Sequence, residues 1–101
     1  MSLKKQFLKN DMCKVTFRIP PEAAPQAKEV TVVGEFNNWD QSSEPMRRLK
    51  SGEFTTTVKM DSGREYQFRY LVDGMEWIND WEADRYEYSS FGNCENSVVS
   101  V

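Results

Sequence analysis

From residue 13 onward the chain alternates. In Cys13 to Ile19 (CKVTFRI), Val15, Phe17 and Ile19 interleave with Lys14, Thr16 and Arg18. Successive side chains of a strand point to opposite faces, so this pattern predicts a half-buried β-strand. Pro20-Pro21 cannot donate to a ladder and ends it. The Pro/Ala/Glu stretch to Lys28 reads as loop. Glu29 to Phe36 (EVTVVGEF) predicts a second strand, with Val30, Val32 and Phe36 on one face. Gly34 inside it signals a bulge or a close approach of another backbone. Asn37-Asn38 tolerate left-handed backbone and predict a bend that carries Trp39.

A meander follows. Met46 to Lys50 reads as a short strand, and Ser51-Gly52 as a hairpin turn. Glu53 to Met60 is predicted as a strand with Phe54, Thr56, Val58 and Met60 on one face. After Asp61-Ser62-Gly63, Arg64 to Val72 is predicted to turn Tyr66, Phe68, Tyr70 and Val72 inward and Gln67, Arg69 and Leu71 the other way. Asp73-Gly74 is a second hairpin signal, and Met75 to Ile78 returns. Gly52, Gly63 and Gly74 lie eleven residues apart, a turn spacing expected of an all-β sandwich or barrel. Residues 79–96 (NDWEADRYEYSSFGNCEN) show no clean period and read as a long loop; Ser97 to Val101 is the predicted final strand. Residues 1–12 form an N-terminal arm. Its LKKQFLK segment is compatible with one helical turn or an extended run, and Leu3, Phe7 and Leu8 do not decide between them.

Composition narrows the function. A chain of 101 residues is expected to build one domain. Thirteen basic against sixteen acidic residues leave a net charge of −3, which argues against nonspecific nucleic-acid binding while leaving room for a local basic patch. No apolar run reaches membrane-spanning length. Gln6 to Asp11 is too polar for the core of a secretion signal, so a cytoplasmic protein is expected. Cys13 and Cys94 are too few for a disulfide scaffold and are expected as free thiols, although they flank the first and last predicted strands, where a bridge is geometrically conceivable. The chain has no histidine, the commonest general base and metal ligand. Asp80, Glu82 and Asp84 lack the glycine and distal glutamate of a calcium loop and are expected as a solvated acidic run. Neither a metal nor a cofactor is expected.

Several short stretches occur in one order: Val32-Val33-Gly34-Glu35-Phe36-Asn37-Asn38-Trp39-Asp40, Pro45-Met46, Gly52-Glu53-Phe54, Tyr66 to Gly74, Trp77, Asp80 and Asn96-Ser97-Val98-Val99. Over residues 13–101 the chain resembles the early-set, immunoglobulin-like domains at the N-terminus of isoamylases and glycogen branching enzymes. It is also similar to the glycogen-binding domain of the AMP-activated protein kinase β subunit. These domains form carbohydrate-binding module family 48. The resemblance implies an antiparallel β-sandwich of about seven to eight strands. It also implies noncatalytic binding of α-1,4-linked glucan, a glycogen- or starch-like polymer or a maltooligosaccharide. Trp39 and Trp77 fall where members stack tryptophans on sugar rings. Arg69 stands where the kinase domains place a lysine on sugar hydroxyls. Phe91 and Asn96 match the apolar side chain and asparagine of the loop before the last strand. Two departures are visible: Met75-Glu76 lengthens the turn before Trp77 by one residue, and Trp81, beside Tyr86 and Tyr88, stands where many members have proline.

The residue types suit the chemistry. A pyranose ring presents an apolar C–H face that a flat indole covers, and its rim of hydroxyls needs the donors and acceptors of Arg, Asn and Gln. Core packing is the competing reading for Trp39 and Trp77, and each sits beside turn residues, which favours surface platforms. Phe91 fits a core cap as well as a ligand contact, and Asn96 fits a loop terminator. A second function class is a protein-interaction or dimerisation module that has lost sugar affinity and uses Trp81, Tyr86, Tyr88 and Phe91, with a homodimer or a separately encoded glucan-metabolising enzyme as partner. An enzyme is not expected, because a chain this short offers little concave volume between paired carboxylates.

Overall fold

A computed structural model describes residues 3–89 and 94–101. The alternating segments form strands where their apolar positions demand them. The chain runs β1 (Leu3–Phe7), β2 (Met12–Ile19), β3 (Val30–Gly34), β4 (Arg47–Arg48), β5 (Phe54–Asp61), β6 (Glu65–Val72), β7 (Glu76–Ile78), β8 (Arg85–Ser89) and β9 (Cys94–Ser100). Single 3-10 turns occupy Pro21–Ala23 and Glu35–Asn37. Two antiparallel sheets result, one ordered β1-β2-β5-β4 and the other β3-β6-β9-β8, with β7 also paired to β6. This is the expected all-β, immunoglobulin-like sandwich. Among the described residues no helix is long and apolar enough to cross a membrane.

The inward phase of each strand closes the core. Val15, Phe17 and Ile19 of β2 meet Phe54, Val58 and Met60 of β5, and Tyr66, Phe68, Tyr70 and Val72 of β6 face them from the second sheet; all are buried. Rings of Phe17, Phe68 and Tyr70 meet edge to face, with Phe17 and Phe68 centroids 5.1 Å apart, the arrangement that aromatic quadrupoles favour. Phe36, just past β3, packs on Phe17 at 5.4 Å. Gly34 is a close-approach glycine: a Cβ there would lie 2.5 Å from the Gln67 carbonyl oxygen and 2.7 Å from Phe68 Cβ. Cys13 is a buried free thiol; the side chain of Cys94 lies outside the described ones.

The arm, open between a helical turn and an extended run, is extended, and the predicted loop 79–96 is in part strand. Leu3–Phe7 of the arm is an edge strand on β2, pairing Leu3 with Phe17 and Phe7 with Cys13. Only Leu3 of this strand is buried, so its own pattern carries little signal and the free edge of β2 supplies the order. The predicted loop 79–96 contains β8, paired to β9 with Arg85 opposite Val98 and Tyr86 opposite Ser97. Tyr86 and Tyr88 are 41% and 62% exposed, so alternation in β8 separates charge from aromatic surface rather than core from solvent. That is why it hides from a search for buried faces.

Candidate functional site

The outer face of the β3-β6-β9-β8 sheet gathers most of the residues singled out from the sequence. Its register sets Val33 of β3 opposite Arg69 of β6, Val98 of β9 opposite Gln67, and Trp77 of β7 opposite Leu71. Opposed residues share a face, so Gln67, Arg69 and Trp77 stand over an apolar floor of Val33, Leu71 and Val98, all buried. Arg69 lies over the Trp77 indole, 5.6 Å from the ring centroid. Its Nε donates to Asn96 Oδ1 at 2.9 Å, and Asn96 Nδ2 donates to Gln67 Oε1 at 2.9 Å. The guanidinium is thereby held in place, and the cation over the ring steadies the indole in turn. Asn96 is only 7% exposed with both ends of its amide engaged, so its geometry is that of an orienting group behind Arg69. Gln67 was not singled out beforehand; its position two residues before Arg69, on the same strand phase, was the available signal.

Trp77 is carried on a tight turn. Asp73 and Gly74 both have positive φ, 52° and 69°, and Met75 N–H closes the turn on Val72 O at 3.0 Å. Asp73 Oδ1 accepts the backbone N–H groups of Glu29 and Lys28 at 2.9 and 2.8 Å. These bonds to the charged form hold its carboxyl below the usual range. One aspartate therefore ties the hairpin under Trp77 to the start of β3.

Trp39 is placed by a different device. β3 leaves the ladder after Gly34, and Glu35 Oε1 takes the next backbone donor, Gln67 N–H, at 2.7 Å. Asn37 folds back, its Oδ1 accepting Gly34 N–H at 3.0 Å and its Nδ2 donating to Val32 O at 3.2 Å. Asn38 and Trp39 then take left-handed conformations, φ 56° and 59°, and Trp39 N–H returns to Gly34 O at 2.8 Å. A left-handed tryptophan is an uncommon, strained backbone state that surrounding bonds must impose. Trp39 and Trp77 are 38% and 37% exposed and take no part in the buried core; Gly34, which receives the Trp39 N–H, and Trp77 itself stand opposite Phe68 and Leu71 of β6. Phe91 lies outside the described residues.

Of the acidic run expected as a solvated loop, Glu82 and Asp84 are exposed and Asp80 is not. Asp80 is 1% exposed. Its Oδ2 accepts the Tyr70 hydroxyl at 2.5 Å, its Oδ1 accepts Glu82 N–H at 2.7 Å, and its own N–H donates to Ser97 Oγ at 2.8 Å. Burial first, and the neighbouring Asp80 second, raise Tyr70 well above the ordinary tyrosine range, so Tyr70 remains a donor. Asp80 is a buried acceptor that ties the segment after β7 to β6 and β9. Among the described residues no group of three or more acidic or cysteine side chains is arranged to hold a metal ion.

The family model described as the glycogen recognition site of AMP-activated protein kinase matches residues 23–100, and the chain belongs to that family. Family membership makes this chain a carbohydrate-binding module. It is 38% identical over 68 residues to a 1,4-alpha-glucan branching enzyme of Photobacterium profundum, and 44% identical over 51 residues to one of Halothermothrix orenii. Those stretches cover 66% and 48% of this chain but only 9% and 8% of the enzymes, so the chain spans less than a tenth of these relatives. Among solved structures it resembles part of a Paenibacillus barengoltzii pullulanase complexed with maltohexaose and alpha-cyclodextrin, with a TM-score of 0.59 and 24% identity over 97% of this chain and 14% of that one. It also resembles part of the Shigella flexneri enterochelin esterase, with a TM-score of 0.76 and 14% identity over 98% of this chain and 32% of that one. Both likenesses concern the fold alone.

Proposed function

We propose that the domain binds α-1,4-linked glucan without catalysis, with Trp77 and Trp39 as stacking platforms and Arg69 as the donor to sugar hydroxyls. The observation that carries this reading is the Arg69–Trp77 pair, backed by Asn96 and Gln67 on an outer sheet face. A half-exposed indole, fixed at one side by a guanidinium that Asn96 holds, matches an apolar sugar face beside a hydroxyl rim. The family supports a glucan ligand, and a relative is a branching enzyme, whose polymer has many sites to offer. Covering about 100 Å² of indole and sugar at ~25 cal/mol/Å² gives about 2.5 kcal/mol per stack. Two stacks, less the cost of association, correspond to a micromolar-to-millimolar dissociation constant. Polymer presentation raises the effective affinity. We place the protein in the same compartment as its polymer, the cytoplasm, as a monomer or weak homodimer.

Affinity electrophoresis in native gels with and without glycogen tests the proposal, with Trp39→Ala/Trp77→Ala alongside. Retardation of the wild type and free migration of the folded variant is the expected result. Equal migration of both at every glycogen concentration overturns it. It would transfer the function to the protein-interaction reading, for which the 57% exposed Trp81 and 62% exposed Tyr88 are the available surface.

A further inference from the structure

The opposite face of the sandwich carries charge that the chain does not neutralise. In the β1-β2-β5-β4 sheet the outward phase holds Lys4 on β1, Lys14 and Arg18 on β2, Lys59 on β5 and Arg47 on β4. All five are exposed. Among the described residues none of them forms an ion pair, whereas Lys5 on the inward phase of β1 pairs with Asp84 at 2.7 Å and Arg85 pairs with Glu65 and Glu87. Asp61, opposite Met12 at the end of the sheet, is the single acid on this outward phase of the paired strands. A chain of net charge −3 therefore concentrates unpaired positive charge on one flat side.

The register makes the arrangement costly. Lys14 and Lys59 are direct cross-strand partners, and like charges directly opposite destabilise a sheet. Arg18 and Arg47 both stand opposite Thr55, one from each side, so two guanidinium forks flank a single threonine. Between these rows Thr16 and Thr57 share a hydroxyl hydrogen bond of 2.9 Å, and two shallow depressions meet there, one reaching Arg18 and Arg47 and the other Lys4 and Lys14. A local rule broken without internal compensation is what a binding face shows.

We infer that this face docks a carboxylate-rich protein surface. Its cations are spread over four strands, about 15 Å across, wider than one small anion can bridge. The paired strands place no aromatic ring on this phase, either for stacking nucleobases or for anchoring at a membrane interface. Guanidinium forks and threonine hydroxyls fit carboxylates, which they can hold through paired donors. The face lies on the sheet opposite Trp77, so the proposal stands or falls independently of glucan binding.

The test uses the whole chain and fluorescein-labelled poly-L-glutamate, read by anisotropy at low and high salt, with Lys14→Gln/Lys59→Gln and Arg18→Gln/Arg47→Gln as variants. Double-stranded DNA and phosphatidylserine vesicles serve as parallel probes. The expected result is binding to poly-L-glutamate that weakens about tenfold in high salt and in each variant, with unchanged glycogen retardation and unchanged or raised thermal stability of the lysine variant. No binding to poly-L-glutamate, binding indifferent to both variants, or tighter binding to DNA or vesicles overturns it. So does a concentration-dependent dimer that the same variants dissolve, which would assign the face to a second copy of the chain.

Discussion

The hydroxyl of Tyr70 donates to Asp80 across 2.5 Å in the interior of the sandwich, where neither residue is more than 1% exposed. The carboxylate also receives Glu82 N–H, so it is a hub for buried donors and not a surface charge. Asp80→Ala should leave those donors without partners and cost about 2–4 kcal/mol, lowering the melting temperature by roughly 10–25 °C for a domain this size. Tyr70→Phe removes one donor and leaves the carboxylate, and should cost less. Calorimetry on both variants checks the order.

At the glucan face, Trp77→Ala should reduce affinity for maltoheptaose by about 2 kcal/mol while shifting the melting temperature little, because the indole contributes no buried core surface. Isothermal titration with parallel thermal melts separates the two effects. A variant that fails to fold would place Trp77 in the core and refute the platform.

Asn96→Ala tests the orienting role. It removes the acceptor of Arg69 Nε and the donor to Gln67. Glucan affinity should fall by about 1 kcal/mol, the value of one hydrogen bond. The Trp77 fluorescence of the free protein should also change as Arg69 leaves the ring. A loss of affinity with an unaltered fluorescence spectrum would instead make Asn96 a direct ligand contact.

Gly34 and Gly74 should respond to alanine for different reasons. At Gly34 the added methyl meets the Gln67 carbonyl and Phe68 Cβ, and overpacking of this kind costs about 1–3 kcal/mol. Because the Trp39 turn bonds back to Gly34, sugar affinity should fall as well. At Gly74 the space is open but φ is +69°, so the cost is the left-handed backbone, about 1–2 kcal/mol. Urea denaturation of the two variants gives both values.

Acid should weaken the sheet edge through Glu65. Hydrogen bonds from Arg85, then from Ser100, lower its carboxyl from an ordinary 4.5 to about 2. A depressed folded-state value means the native state favours the charged form. Its stabilisation is complete above the unfolded value and is lost as pH falls from 4.5 towards 2. Melting curves of wild type and Glu65→Gln should therefore differ most above that window and converge through it.

What could be read in the sequence was whatever a buried face imposes. β2, β5 and β6 each carry apolar residues on one phase, and Gly34, Asp73 and Gly74 mark sites where backbone demands are severe. The phase of Arg69 placed it outside the core, and the turn residues beside Trp39 and Trp77 indicated exposure. β1 and β8 were hidden because pairing, rather than their own burial, holds them. Asp80 passed for solvated because a buried carboxylate looks the same in sequence as an exposed one until its donors, Tyr70 and Glu82, are brought together. The basic face was half visible in the alternation of Lys14, Thr16 and Arg18, but its density depends on the register with Lys59 and Arg47.

The last strand is an inner one. β9 lies between β6 and β8, and Val98 and Val99 are fully buried. During synthesis the second sheet therefore remains divided until Ser100 has left the ribosomal tunnel. β6 must wait with one side open for a partner about thirty residues further along the chain, and β8 waits for the same strand. Such nonlocal closure is slow and exposes unpaired strands to neighbouring chains. A nascent chain halted before β9 should hence be a substrate for chaperones, whereas loss of the β1 edge strand would leave both sheets closed around their core.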